Sequence, residues 1–467
     1  MKLWTRFLEA LSPPVRNGNY TEQEQEVLFS FYRARVFLGI FLGYAGYYLV
    51  RKNIALVLPE LETHYGYSKV QQGLILGSTS LCYGISKFVM GWISDRSNAK
   101  LFLTLGLFGS GLISCFYGLF PNTLAFYPML LVMMALNGWL QGMGWPPCGR
   151  VMVHWFTTQE RGSKMALWNI SHNIGQAIPA ILITIGLSAA FGWTSALLFP
   201  GGLALVVAYL SYHLIEDTPA SVGLPPIEVY ADRSEGPTSQ RVSSRSRRHD
   251  FYQYILYNPA LWALAFANLF VYLTRYAIID WLPSYLIQVR GFSSEAASLS
   301  YSLYEIAGIA GTLLCGWMSD RFFQGRRAPA AVLFMCLVTV VLNVYWILPS
   351  DCVWGINACL LMLGFLIYGP VMLIGLHALD LVPKSVAGTA AGFTGLFGYV
   401  GGATCANALF GWIVQHYGWD GGFKLLLISC LMSIGFLSLT WHSKAVDLKK
   451  PSLRKKNIPL QASFGVK

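Results

Sequence analysis

Two arginines lie inside long apolar stretches of this chain, each closing a Tyr-Leu-x-Arg quartet: Tyr48-Leu49-Val50-Arg51 and Tyr272-Leu273-Thr274-Arg275. The copies stand 224 positions apart, close to half of the 467 residues. An arginine near the middle of a bilayer costs at least ~2.5–3.5 kcal/mol on insertion scales. A chain that places two of them at matching positions must use them. A guanidinium is planar, stays charged when desolvated and grips two oxygens at once, so the chemistry expected of the pair is capture of a phosphate-like anion. Helical spacing turns each quartet into a face: Tyr44, Tyr48 and Arg51 on a first span, and Asn268, Tyr272 and Arg275 on a seventh.

Other polar groups inside apolar runs could converge on the same place. Tyr83 and Lys87 stand at i, i+4 on a second span, and Trp168, Asn169 and His172 share a face of a fifth. His172 could donate to phosphate and titrate near neutral pH. Tyr368 and Tyr399, on spans 10 and 11, could hydrogen-bond a ligand. Lys52, Asp280 and Glu305 are expected as internal counter-ions that balance an empty site. The alternatives stay open at this level. Either arginine could snorkel to a headgroup or pair with Asp280 or Glu305, Lys87 could snorkel, and His172 and the tyrosines could simply pack.

The elements that must position these residues follow from composition. Hydrophobic residues make up 55% and charged residues 12%, with a mean hydropathy of +0.49, against roughly 25% charged in a soluble domain. Continuous apolar runs of about 20 residues suit membrane-crossing helices, not the alternating strands of a barrel. Twelve spans are expected at 34–61, 72–93, 101–120, 126–147, 165–190, 194–214, 260–286, 296–317, 328–348, 354–377, 387–414 and 422–441. Lys100, Arg150, Arg161, Lys164, a cluster over 241–248, Arg326, Arg327 and Lys384 fall in loops after even-numbered spans, so both termini are expected in the cytoplasm. The same rule accounts for the net charge of +11 and removes the case for nucleic acid. The nine cysteines are scattered singly, without CxxC or Cys/His clusters, so neither metal nor cofactor is expected. No cleavable signal peptide is read in 1–26. The Ser/Arg-rich segment 234–248 reads as a flexible linker able to lie on anionic lipid.

Internal repetition names the architecture. Gly91-Trp92-Ile93-Ser94-Asp95-Arg96 recurs as Gly316-Trp317-Met318-Ser319-Asp320-Arg321 after 225 residues, and Phe191-Gly192-Trp193 as Tyr417-Gly418-Trp419 after 226. Parallel repeats at one offset indicate the major facilitator fold: an all-α membrane protein of twelve transmembrane helices in two pseudo-symmetric six-helix halves, with substrate near the midplane. The expected organisation is a cytoplasmic segment 1–33, halves 34–214 and 260–441, a cytoplasmic linker 215–259 and a tail 442–467. Asp95, Arg96, Asp320 and Arg321 are expected to latch the cytoplasmic gate.

The segments 43–53 (GYAGYYLVRKN), 83–98 (YGISKFVMGWISDRSN), 141–155 (QGMGWPPCGRVMVHW), 168–175 (WNISHNIG), 217–230, 270–286 (FVYLTRYAIIDWLPSYL) and 368–402 resemble the organophosphate:phosphate antiporters of that superfamily. The stretch YGPVMLIGLHAL resembles the glycerol-3-phosphate branch, whereas WPPCG also occurs in glucose-6-phosphate relatives. Carried over by motif, the resemblance implies phosphate-binding arginines at Arg51 and Arg275, with Lys87 and His172 beside them. It implies supporting contacts from Tyr44, Tyr48, Tyr83, Asn169, Tyr272, Tyr368 and Tyr399. Two departures stand out: the Ser/Arg-rich linker replaces an acidic one, and Leu282 replaces a serine. The implied activity is uptake of sn-glycerol 3-phosphate against outgoing inorganic phosphate, by a monomer in a bacterial inner membrane. Hexose 6-phosphate or phosphoglycerate exchange, or a non-transporting sugar-phosphate sensor, would use the same clamp. No Walker loop or nucleophile elbow supports an enzyme.

Overall fold

The computed structural model describes residues 16, 18, 20–94, 97–188, 191–227, 229–230, 252–382 and 387–443. The linker segment 234–248, most of the tail, Lys384 and the gate residues Asp95 and Arg96 lie outside these. All regular structure among the described residues is helical.

Span 1 opens as α1, Glu22–Leu49, on a capping box in which Thr21 and Glu24 satisfy each other's backbone N–H groups. It does not continue as one helix to residue 61. It breaks at Val50, turns through a 3₁₀ segment Asn53–Val57, and resumes as α2, Leu58–Tyr65. Arg51 and Lys52 therefore sit in the break, and the expected i, i+4, i+7 helical face ends at Tyr48. Span 2 is α3, Lys69–Ser94, and span 3 is α4, Ala99–Leu119. Span 4 is built of α5, Tyr127–Gln141, and α6, Trp145–Trp155, whose first turn tolerates Pro146 and Pro147 because the N–H groups there lack helical acceptors anyway. Spans 5 and 6 are α7, Thr158–Ser188, and α8, Ser195–Leu214. Both α6 and α7 outrun the apolar stretches, which places Arg150, Arg161 and Lys164 on helices, not in a loop.

The second half repeats the plan with α9 (Pro259–Gln288), α10 (Ser294–Arg321), α11 (Arg327–Ile347) and α12 (Val353–Asp380) as spans 7 to 10. Span 11 is α13, Ala387–Leu396, followed by a π turn Phe397–Ala403 and the start of α14, Thr404–Ser438. That last helix bends sharply at Gly418, where φ is +69° and a side chain would be strained, and its remainder is span 12. Among the described residues, seven helical stretches are long and apolar enough to cross a membrane by length and composition alone. Span 4 falls short because it is split into helices of 15 and 11 residues.

Pairing inside the halves follows one pattern. Span 2 packs along span 4 as span 8 packs along span 10, and span 3 along span 6 as span 9 along span 12. The close crossings correspond too. A Cβ on Gly138 would strike the backbone of Thr79, and one on Gly364 would strike the backbone of Tyr304, at offsets of 226 and 225. Between the halves, span 2 lies against span 11 and span 5 against span 8. At the end of the bundle where spans 1 and 7 finish, polar groups tie the halves together. Gln288 Nε2 donates to Glu62 Oε2 at 2.7 Å, Lys69 bonds both Glu62 and Gln288, and its backbone N–H donates to Gln415 Oε1 at 2.9 Å.

Candidate functional site

Midway along the bundle, the break in span 1 faces span 7. Arg51 and Arg275 are each only 3% exposed. The Arg51 guanidinium lies over the rings of Tyr48 at 3.9 Å and Tyr83 at 4.4 Å, and its Nε donates to Gln141 Oε1 at 2.9 Å. Arg275 lies over Tyr368 at 4.4 Å and Tyr276 at 5.0 Å, and its Nη2 donates to the Tyr368 hydroxyl at 3.2 Å. Aromatic faces stabilise a desolvated cation while leaving its N–H edges unused. The edges are indeed unused: Nη1 and Nη2 of Arg51 and Nε of Arg275 have no acceptor among the described residues. A buried guanidinium with unfilled donors is costly to leave so. An anion with several acceptor oxygens would satisfy it.

Neither arginine forms an ion pair among the described residues, so the direct salt bridge to Asp280 or Glu305 is not made. Asp280 takes Lys52 instead, Nζ to Oδ2 at 2.5 Å, across the two halves. Lys52 also lies over the Tyr276 ring at 4.6 Å. Glu305 reaches Arg275 through Tyr368, whose hydroxyl donates to Oε2 at 2.5 Å, while Oε1 accepts from Gln176 Nε2 of the opposite half at 2.7 Å. Arg51, Lys52 and Arg275 thus face Asp280 and Glu305, all buried, which leaves one positive charge in excess. Lys87 adds another nearby, over Trp145 at 5.2 Å and Tyr399 at 5.4 Å.

His172 stands between the two clamps, its ring 5.5 Å from Tyr48 and 6.0 Å from Tyr368. Its Nδ1 faces the carbonyl oxygen of Asn169, which can only accept, so Nδ1 carries a hydrogen. A neutral His172 then offers a lone pair at Nε2, and only the protonated ring can donate from both nitrogens. Tyr44 stacks on Trp168 at 4.3 Å. Tyr399, in the π turn, meets Tyr83 at 4.7 Å and Tyr272 at 5.1 Å, closing an aromatic wall across the halves.

The other expected residues have partners of their own. Asn268 donates its Nδ2 to the Thr394 carbonyl at 2.8 Å and struts span 7 against span 11. Asn169 contributes its carbonyl to His172. Asp320 pairs with Arg327, which also reaches Asp380 at 3.2 Å, and so ties spans 8, 9 and 10 within one half. Gln141 and Tyr276 join the site beyond the residues expected from the sequence. Gln141 follows Asn137 by four residues in an apolar span, and that pair of amides was the available signal.

Two six-helix halves around a buried, net-positive cavity define a carrier, with the cavity at the seam where the halves can part. The chain belongs to the Major Facilitator Superfamily, whose family model matches residues 40–406. That is a family of transporters, not of enzymes. The chain is 48% identical to the glycerol-3-phosphate transporter of Bacillus subtilis, over 94% of this chain and 98% of that one. It is 44% identical to the glycerol-3-phosphate transporter of Haemophilus influenzae, over 85% and 88%. Its fold matches the crystal structure of a bacterial homologue of the human lysosomal transporter Spinster, in an inward-facing and occupied conformation. The TM-score is 0.67 at 15% identity, covering 87% of this chain and 96% of that one.

Proposed function

We propose that the protein exchanges external sn-glycerol 3-phosphate for internal inorganic phosphate, with Arg51 and Arg275 as the phosphate clamp. The observation that carries the reading is the pair of buried guanidiniums, one from each half, that keep N–H donors without acceptors. The relatives' names favour glycerol 3-phosphate as the organic partner. Phosphate, free or esterified, would bridge the two cations and relieve their repulsion, so the loaded halves 34–214 and 260–441 rock past each other while the empty ones do not. Exchange is then tight and needs no ATP. His172 and Lys87 would add to the phosphate contacts, and Tyr44, Tyr48, Tyr83, Asn169, Tyr272, Tyr368 and Tyr399 would support and sort the organic tail. The setting is a bacterial inner membrane with both termini in the cytoplasm. On that orientation the polar ties at Glu62, Lys69, Gln288 and Gln415 close the outer end.

The test is efflux of labelled phosphate from proteoliposomes, driven in turn by glycerol 3-phosphate, glucose 6-phosphate and phosphoglycerate. Efflux fastest with glycerol 3-phosphate is expected. A preference for either other ester moves the specificity, and no efflux with any of them refutes transport in favour of a sensor.

A further inference from the structure

The break in span 1 contains no helix breaker of its own, for Val50-Arg51-Lys52-Asn53 has neither glycine nor proline. The backbone groups released there need partners from elsewhere. Span 4 supplies one. Asn137 Nδ2 donates to the Val50 carbonyl at 3.0 Å, and one turn on, Gln141 takes the Arg51 Nε–H on Oε1. Span 3 completes the strap: Ser110 Oγ accepts from Gln141 Nε2 at 3.4 Å, and Ser114 Oγ accepts from Asn53 Nδ2 at 2.8 Å. All four strap residues are buried and lie in the N-terminal half.

The chemistry of the amide fixes its direction. Nε–H of arginine only donates, so Gln141 must present its oxygen there and leave its nitrogen to Ser110. Both ends of the amide are then in use, although Gln141 lines the small cavity beside Arg51. A guanidinium gripped at Nε keeps its Nη1/Nη2 end turned away from the grip, and those are the two nitrogens without acceptors.

The C-terminal half is built differently. Span 7 runs unbroken through Arg275, and at offsets of 225 and 226 from Asn137 and Gln141 stand Met362, Leu363, Leu366 and Ile367. Arg275 is held at Nη2 by Tyr368, whose support passes through Glu305 to Gln176 in the other half.

We infer that Gln141 is a positioning residue that makes Arg51 the stationary jaw of the clamp, presenting its Nη1/Nη2 end to the anion. Arg275 is the jaw whose support crosses the interface and must change when the halves move. The inference rests on the clamp reading above.

Titration calorimetry with inorganic phosphate on the purified full chain tests it, alongside melting temperature and maximal exchange rate. Gln141→Leu should weaken phosphate binding about tenfold or more, the effect of one charge-assisted hydrogen bond, in a chain whose melting transition shows that it still folds. Gln141→Glu separates positioning from strapping. A carboxylate still accepts from Nε–H, so it would rescue a mere strap, whereas its charge should neutralise Arg51 and weaken phosphate further than Gln141→Leu does. Ser110→Ala, remote from the ligand, should weaken binding a few-fold. Wild-type affinity in Gln141→Leu or Gln141→Glu overturns the inference alone. Wild-type protein that binds no phosphate overturns the clamp and the inference together. If Gln141→Leu does not fold, the glutamate and Ser110 variants decide.

Discussion

Removing one member of the Lys52–Asp280 pair should open the end of the bundle that the structure holds shut, without unfolding the halves. At 2.5 Å and an effective dielectric of about 20, the attraction is roughly 7 kcal/mol before desolvation. Burying each ion costs several kcal/mol, so the intact pair is worth little against two well-packed apolar residues, while stripping one partner costs about 3–5 kcal/mol. In most proteins that cost would fall on folding. Here Lys52 and Asp280 belong to different halves, and parting the halves lets water reach the orphaned charge. The cost then falls on the closed state relative to the open one, and about 3 kcal/mol shifts that equilibrium by roughly 100-fold. Spin labels at the exposed positions Thr63 and Asp351, with Cys336 and Cys352 replaced by serine, report the distance across the closed end. The wild type should give a short distance, Lys52→Met a longer one, and Lys52→Met with Asp280→Leu the short one again. An unchanged distance in Lys52→Met, or a double variant more open than the single ones, would refute the reasoning.

Three further expectations follow from the same geometry. Arg51→Lys or Arg275→Lys keeps the charge but loses the fork, so phosphate affinity should fall about 10- to 100-fold while membrane insertion stays normal; wild-type exchange rates would sink the clamp. His172→Ala should weaken exchange without abolishing it, because the two arginines remain, and an unchanged affinity and pH profile would count against any role for that ring. Gly364→Val would force the backbone of Tyr304 aside, and overpacking of this kind costs about 1–3 kcal/mol; a lower melting temperature in detergent is expected, and full stability would show that spans 8 and 10 can separate there.

Much of this was legible because burying charge in an apolar run is so unfavourable that Arg51 and Arg275 announce themselves. The repeat offset then tied them to two halves, and the same offset reappears in the paired crossings at Gly138 and Gly364. What was not legible is the break in span 1. The side chains that hold it, Asn137, Gln141, Ser110 and Ser114, lie on other spans, and the local breaker, Pro59, stands after it, in the first turn of α2. Periodicity extended through the break therefore placed Arg51 on a helical face it does not share. The strut made by Asn268 was hidden for a related reason. Spacing puts it on the face of Tyr272, where both lie against Gly398, and says nothing of the Thr394 carbonyl it serves, 126 residues away. The π turn at 397–403 shifts the register of span 11 by a residue and brings Tyr399 against Tyr83, again beyond what a 3.6-residue period can show.

The ties at Lys52, Glu62, Lys69 and Gln288 also bear on how a cell would live with such a protein. On the proposed orientation they shut the outer mouth whenever nothing bridges the arginines. A bacterium could then keep many copies in its membrane through starvation without draining its own phosphate, because no copy turns outward and returns empty at a useful rate. Weakening those ties would convert the same molecule into a slow leak. Growth on limiting phosphate would expose that leak before any loss of uptake became visible.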